Sequence, residues 1–164
     1  SDCISFGVAP ALVAYAWSLS TLGKVGWMVA FVYAACAALR LARFNVQIET
    51  ADKRYFTGLP SPSAAAVVAG MVWLGTSLEI EGGTAMVSVM AAIITAFAAV
   101  MMVSNVRYNS FKELDVKGRV PFFVILVVVL ALAVIFSYPA GVLWGIFLIY
   151  ALSGPLTAFR KLKP

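Results

Sequence analysis

Charged residues are so sparse along these 164 residues that the gaps between them dictate the fold. Stretches free of Asp, Glu, Lys and Arg run over 3–23, 25–39, 55–78, 82–106 and 120–159. A helix needs about 20 apolar residues to cross roughly 30 Å of hydrocarbon. The last stretch holds 40 residues, about 60 Å of helix at ~1.5 Å per residue. Ser137-Tyr138-Pro139-Ala140-Gly141 sits in its middle as a turn, so the five stretches encode six spans. Their expected limits are 4–21, 25–43, 62–78, 84–103, 120–137 and 141–158. Composition agrees: 63% of residues are hydrophobic and 12% charged, against about 45–50% and roughly 25% in soluble domains. The expected class is all-α, a polytopic membrane helix bundle with residues 1–164 forming a single transmembrane domain.

The basic residues orient the bundle. With the N-terminus inside, Arg40, Arg43, Lys53, Arg54, Arg107, Lys112, Lys117, Arg119, Arg160, Lys161 and Lys163 all fall on the inner side, and only Lys24 falls outside. Such asymmetry marks the cytoplasmic face. The long loops, 44–61 and 104–119, lie on that face, where loop-borne chemistry would sit. The formal charge of +5 therefore reads as topology and contact with anionic lipid, and no nucleic-acid partner is expected. There is no histidine, and the only cysteines are Cys3 and Cys36. Imidazole catalysis and Cys/His zinc sites are thereby excluded, and no disulfide framework is implied.

Arg40 follows only 15 uncharged residues, about 22 Å of helix. It must lie below the headgroups or snorkel up to them, and a charge at that depth costs at least ~2.5 kcal/mol unless paired or hydrated. Helical spacing puts Cys36, Arg40, Arg43 and Gln47 on one face. That face suits a cationic wall for phosphate or carboxylate, although snorkelling to lipid phosphate would place the arginines similarly. Tyr55-Phe56-Thr57-Gly58-Leu59-Pro60-Ser61-Pro62 reads as a loop entering a helix, its prolines suited to the first turn. Ser104-Asn105-Val106-Arg107-Tyr108-Asn109-Ser110-Phe111-Lys112 is a polar and aromatic membrane edge, fit either to anchor in headgroups or to close a site. Asp2 opens the chain's first helix as an acid or an ordinary N-cap, and Gly7 and Pro10 within that helix suggest close packing and a local bend.

The run Asp2-Cys3-Ile4-Ser5-Phe6-Gly7-Val8-Ala9-Pro10 resembles the start of the third membrane helix in bacterial, serine-using members of the CDP-alcohol phosphatidyltransferase family. Leu39-Arg40-Leu41-Ala42-Arg43-Phe44-Asn45, Phe56-Thr57-Gly58-Leu59-Pro60-Ser61-Pro62 and Val103-Ser104-Asn105-Val106-Arg107-Tyr108 resemble the same members in the same order. In the family signature D-x2-D-G-x2-A-R-x8-G-x3-D-x3-D, the final aspartate matches Asp2. The earlier part would precede residue 1, so the resemblance implies an N-terminally truncated chain from a protein of eight spans. It further implies transfer of the phosphatidyl group of CDP-diacylglycerol to L-serine, with release of CMP, in the bacterial inner membrane with the site facing the cytoplasm. Asp2 would act as base on the acceptor hydroxyl and as a ligand of Mg²⁺ or Mn²⁺, hard cations that favour carboxylates. Arg40, Arg43, Asn45 and Arg107 would bind substrate, the two helical arginines holding the serine carboxylate or a phosphate. A glycerol phosphate acceptor, a small-solute transporter and a purely structural subunit are the competing readings. Small residues such as Ala64-Ala65-Ala66 and Gly70 permit close contact within or between subunits, which leaves a homodimer open.

Overall fold

A computed structural model describes residues 1–47, 55–109 and 122–161. Six helices occur where six spans are expected. They are α1 (Ala9–Trp17), entered through a π-helical turn at Ile4–Val8, α2 (Lys24–Gln47), α3 (Ser61–Ser77), α4 (Ala85–Val103), α5 (Phe122–Ser137) and α6 (Pro139–Lys161). Three are long and apolar enough to cross a bilayer by themselves, over Lys24–Val46, Ala85–Val103 and Pro139–Leu156. The apolar helices Ile4–Trp17 and Val128–Ser137 are shorter. The protein is an all-α membrane helix bundle.

Several features depart from the sequence-based expectation. Helix α1 ends at Trp17, short of the expected 21, and α6 runs from Pro139 to Lys161 instead of 141–158. Helix α2 runs on to Gln47 instead of ending near residue 43. The loops also contribute a two-stranded antiparallel ribbon, β1 (Tyr55–Thr57) with β2 (Arg107–Asn109), in which Tyr55 faces Asn109 and Thr57 faces Arg107. Three-residue strands carry too little periodicity to be read from sequence, and these gain their hydrogen bonds from partners some fifty residues away.

Helix α2 packs on α4, α1 on both α2 and α3, and α6 on α3, while α5 packs on α6. The side chains are distributed for lipid, not water. The interior is built from small residues, among them Ala11, Ala14, Ala64, Ala91, Ala98, Ala99 and Ala151. Trp27, Phe31 and Ile149 face outward, and Phe136 is 82% exposed. Hydrocarbon solvates large apolar side chains well, so helices associate where small residues let backbones approach and polar groups can pair. The Ala64–Gly70 stripe is used in this way within the chain. Ala64 and Ala65 are buried, a Cβ on Gly70 would lie 3.1 Å from the Trp144 ring, and Trp144 Nε1 donates to the Val67 carbonyl at 3.0 Å.

One end of the bundle is tied by a partly buried hydroxyl cluster, with Ser18 and Ser88 buried. Ser18 Oγ donates to the Gly82 carbonyl at 2.5 Å, and Thr21 Oγ1 and Ser88 Oγ share a hydrogen bond of 2.6 Å. This joins the turn after α1 to the loop between α3 and α4, the end that also bears Lys24, Glu79 and Glu81.

Near the other end, Pro10 determines the entry into α1. Proline has no N–H and cannot serve the carbonyl four residues back, which is that of Phe6. The preceding turn widens to π geometry, with Ala9 N–H reaching the Ile4 carbonyl. The Phe6 carbonyl accepts from the Tyr33 hydroxyl at 3.1 Å, and Tyr33 is completely buried. Replacing Tyr33 with Phe removes that donor and should destabilise the protein by ~1 kcal/mol, a fall of about 2–4 °C for a chain of this size. Thermal unfolding in detergent measures this, and an unchanged midpoint would show the bond to be dispensable.

Candidate active site

The widened turn matters because it brings the start of the chain against α2. Gly7 is buried there, and a Cβ at that position would lie 2.9 Å from the Cβ of Ala37, closer than two such atoms can sit. Only glycine allows this approach. Arg40 lies one turn beyond Ala37 and Asp2 five residues before Gly7, and both line the cleft formed where these two segments meet.

The cleft has a volume of about 260 Å³. Asp2, Cys3 and Phe6 form one wall, and Ala37, Arg40, Leu41 and Phe44 form the second. Pro60, Ser61 and Pro62, at the start of α3, form the third. The α2 contribution follows a single helical stripe at intervals of three and four residues. The volume falls below the roughly 300–1,000 Å³ of pockets for drug-sized ligands and suits a compact head group. A second, apolar cleft of about 460 Å³ opens nearby between α3 and α6, lined by Ser63, Ile146, Phe147 and Tyr150 among others.

Arg40 is the cation of the first cleft, whose lining is otherwise largely apolar apart from Asp2 and Ser61. Its Nη1 donates to Ser61 Oγ at 2.9 Å, and its Nε is buried without a hydrogen-bond partner. The Tyr150 phenol of α6 lies within electrostatic reach of the guanidinium. A half-buried guanidinium with a donor to spare is costly in isolation and fitted to an anion. Asp2 is exposed at the mouth. The arrangement offers a cation suited to a small group bearing a negative charge, with a carboxylate lining the same cleft.

Of the residues singled out from sequence, Asp2 and Arg40 are brought together. Arg43 lies outside the cleft lining and turns to α4, with Nη2 donating to Asn105 Oδ1 at 2.7 Å and Nη1 to the Val103 carbonyl at 3.4 Å. Asn45 is exposed on α2, next to the lining residue Phe44. Arg107 pairs through β2 with Thr57, while its side chain, that of Gln47, and residues 110–112 lie outside the described part. Sequence reasoning singled out the segments holding Ser61 and Asn105 without giving either residue a role, and missed Tyr150. The visible signals were a serine between two prolines, a phenol within the 40-residue uncharged stretch, and an amide beside Arg107.

For a metal, the cleft offers one carboxylate. Among the described residues no group of three or more His, Cys, Asp or Glu comes together, so these residues do not by themselves make a cation site.

The contact at Gly7 is testable against an internal control. Gly7→Ala should cost about 1–3 kcal/mol, as overpacking does. Gly145→Ala, where a Cβ would meet nothing within 4 Å, should be neutral or stabilising by up to ~1 kcal/mol. Equal unfolding midpoints for the two variants would refute the close approach.

Comparison with known proteins gives consistent relatives. No family model matches the chain. A CDP-diacylglycerol–serine O-phosphatidyltransferase of Helicobacter pylori is 35% identical over 154 residues, covering 93% of this chain and 63% of the relative. Proteins of the same name from Mycobacterium leprae and Bacillus subtilis are 31% and 34% identical over 156 and 113 residues. These alignments cover 92% and 69% of this chain, and 51% and 56% of the relatives. The chain thus spans between half and two thirds of the length of these curated relatives.

Proposed function

The chain belongs to the family of the CDP-diacylglycerol–serine O-phosphatidyltransferases that it matches, and on that premise we propose that the whole protein makes phosphatidylserine. The phosphatidyl group of CDP-diacylglycerol passes to the hydroxyl of L-serine, and CMP leaves. The single observation that carries this reading is the cleft with Asp2 on one wall and a half-buried, incompletely partnered Arg40 on another.

In this reading Asp2 takes the proton from the serine hydroxyl, as a positioned carboxylate can where no histidine exists. The freed oxygen attacks the phosphorus that bears the diacylglycerol. The bond from that phosphorus to the CMP oxygen breaks, and CMP departs with the electron pair. Arg40, steadied by Ser61, holds the serine carboxylate or a substrate phosphate, for which a guanidinium fork is well shaped. Asn45 and Arg107 are proposed as further substrate contacts. The apolar cleft beside Tyr150 supports a substrate that carries acyl chains.

Members of the family generally use divalent metals. Asp2 is proposed as one oxygen ligand, and Mg²⁺ or Mn²⁺ as the ion, which would help neutralise the substrate diphosphate. Residues 1–164 would form one transmembrane domain of the enzyme, in the bacterial inner membrane. In the topology expected from sequence, eleven of the twelve Lys and Arg residues share the side of Asp2 and Arg40, which supports a site facing the cytoplasm.

The test is CMP release from CDP-diacylglycerol by the complete protein, with and without L-serine and Mn²⁺. Asp2→Asn should lower turnover by about 10²–10⁴-fold, the range of general acid–base catalysis. Arg40→Ala should raise the serine KM or lower turnover by at least about tenfold, one charge-assisted hydrogen bond's worth. Serine-independent release, or full activity in Asp2→Asn, would overturn the reading.

A further inference from the structure

Arg40 and Arg43 occupy neighbouring positions on α2 yet have different surroundings. Arg40 lines the cleft and retains a buried, unpartnered Nε. Both terminal nitrogens of Arg43 are already engaged, by Asn105 and by the Val103 carbonyl. We propose that Arg43 and Asn105 are a positioning pair, which fixes the end of α4 and through it the Ser61 wall of the cleft. The pair itself touches no substrate.

The connection is continuous in hydrogen bonds. The last carbonyls of a helix have no partner within it, and at the end of α4 they are taken up by neighbouring segments. The Met101 carbonyl accepts from the Leu59 amide at 2.9 Å and from Ser104 Oγ at 2.8 Å. Arg43 serves the Val103 carbonyl, where a cation also complements the negative end of the helix dipole. Just beyond, the Val106 carbonyl accepts from the Gly58 amide at 2.8 Å.

The strap that supplies those amides has little freedom. Gly58 has φ +79°, in the left-handed region that favours glycine, and a Cβ there would lie 2.5 Å from the Met102 carbonyl oxygen. Leu59 is fully buried. Two residues on, Ser61 receives the hydrogen bond from Arg40. Arg43 therefore acts on Arg40 by a route that leaves α2, crosses the end of α4 and returns along the 58–61 strap.

The activity readout rests on the transfer reading above, and thermal coupling supplies one that does not. In the complete protein, Arg43→Ala and Asn105→Ala should each raise the serine KM about tenfold with turnover changed less than about threefold. Their double variant should be within about twofold of either single, because contacting residues are non-additive. Arg43→Lys should recover part of the loss. In an Arg40→Ala background, Arg43→Ala should add nothing to the KM, which a merely structural role would not predict. The unfolding midpoints of the two singles should likewise fail to add.

Multiplying effects in the double variant, or a large loss in Arg43→Ala with Asn105→Ala at the wild-type level, would overturn the pair and give Arg43 its own ligand. If the wild type shows no serine-dependent CMP release, the transfer reading falls. The midpoints then decide the pair alone, additivity refuting it and non-additivity upholding it.

Discussion

Close approach of backbones is the constraint on which this molecule depends. Surrounded by hydrocarbon, an apolar side chain gains almost nothing by moving from lipid into the protein. Many large residues consequently face outward, and alanine is prominent in the interior beside a few large side chains such as Tyr33, Leu59 and Met102. The contact of Gly7 with Ala37 has the greatest consequence, because it determines how far the first turn of the chain lies from α2 and hence the width of the cleft.

Backbone polar groups are the second constraint, since none can be left to water at this depth. Two breaks in the helical pattern among the described residues have clear replacement partners. Pro10 withdraws an amide, and the turn widens while Tyr33 serves the Phe6 carbonyl. At the end of α4, carbonyls without helical partners are met by Arg43, Leu59 and Gly58. Both repairs border the cleft, so satisfying the backbone and shaping the site are achieved by the same residues.

Much of the architecture was legible in the spacing of charges, because a run of twenty uncharged residues has few alternatives to a membrane helix. The two charged residues that line the cleft, Asp2 and Arg40, were also visible as unusual charges beside apolar stretches. The helical-face argument went astray in grouping Arg43 with Arg40. Three residues along a helix leave side chains about 60° apart, enough for one to meet α3 and the other α4. The ribbon, the Ser61 acceptor and the neighbouring Tyr150 arise from contacts between segments far apart in the chain. Local pattern does not encode such partners.

The central claim is that substrate occupies the cleft between the first turn and α2. Cys3 lines that cleft and is partly exposed, so its reactivity reports occupancy without relying on turnover. In the complete protein with Cys36→Ser, the rate of maleimide modification at Cys3 should fall several-fold when CDP-diacylglycerol and L-serine are added. An unchanged rate at saturating concentrations of both would place the substrates elsewhere and contradict the account.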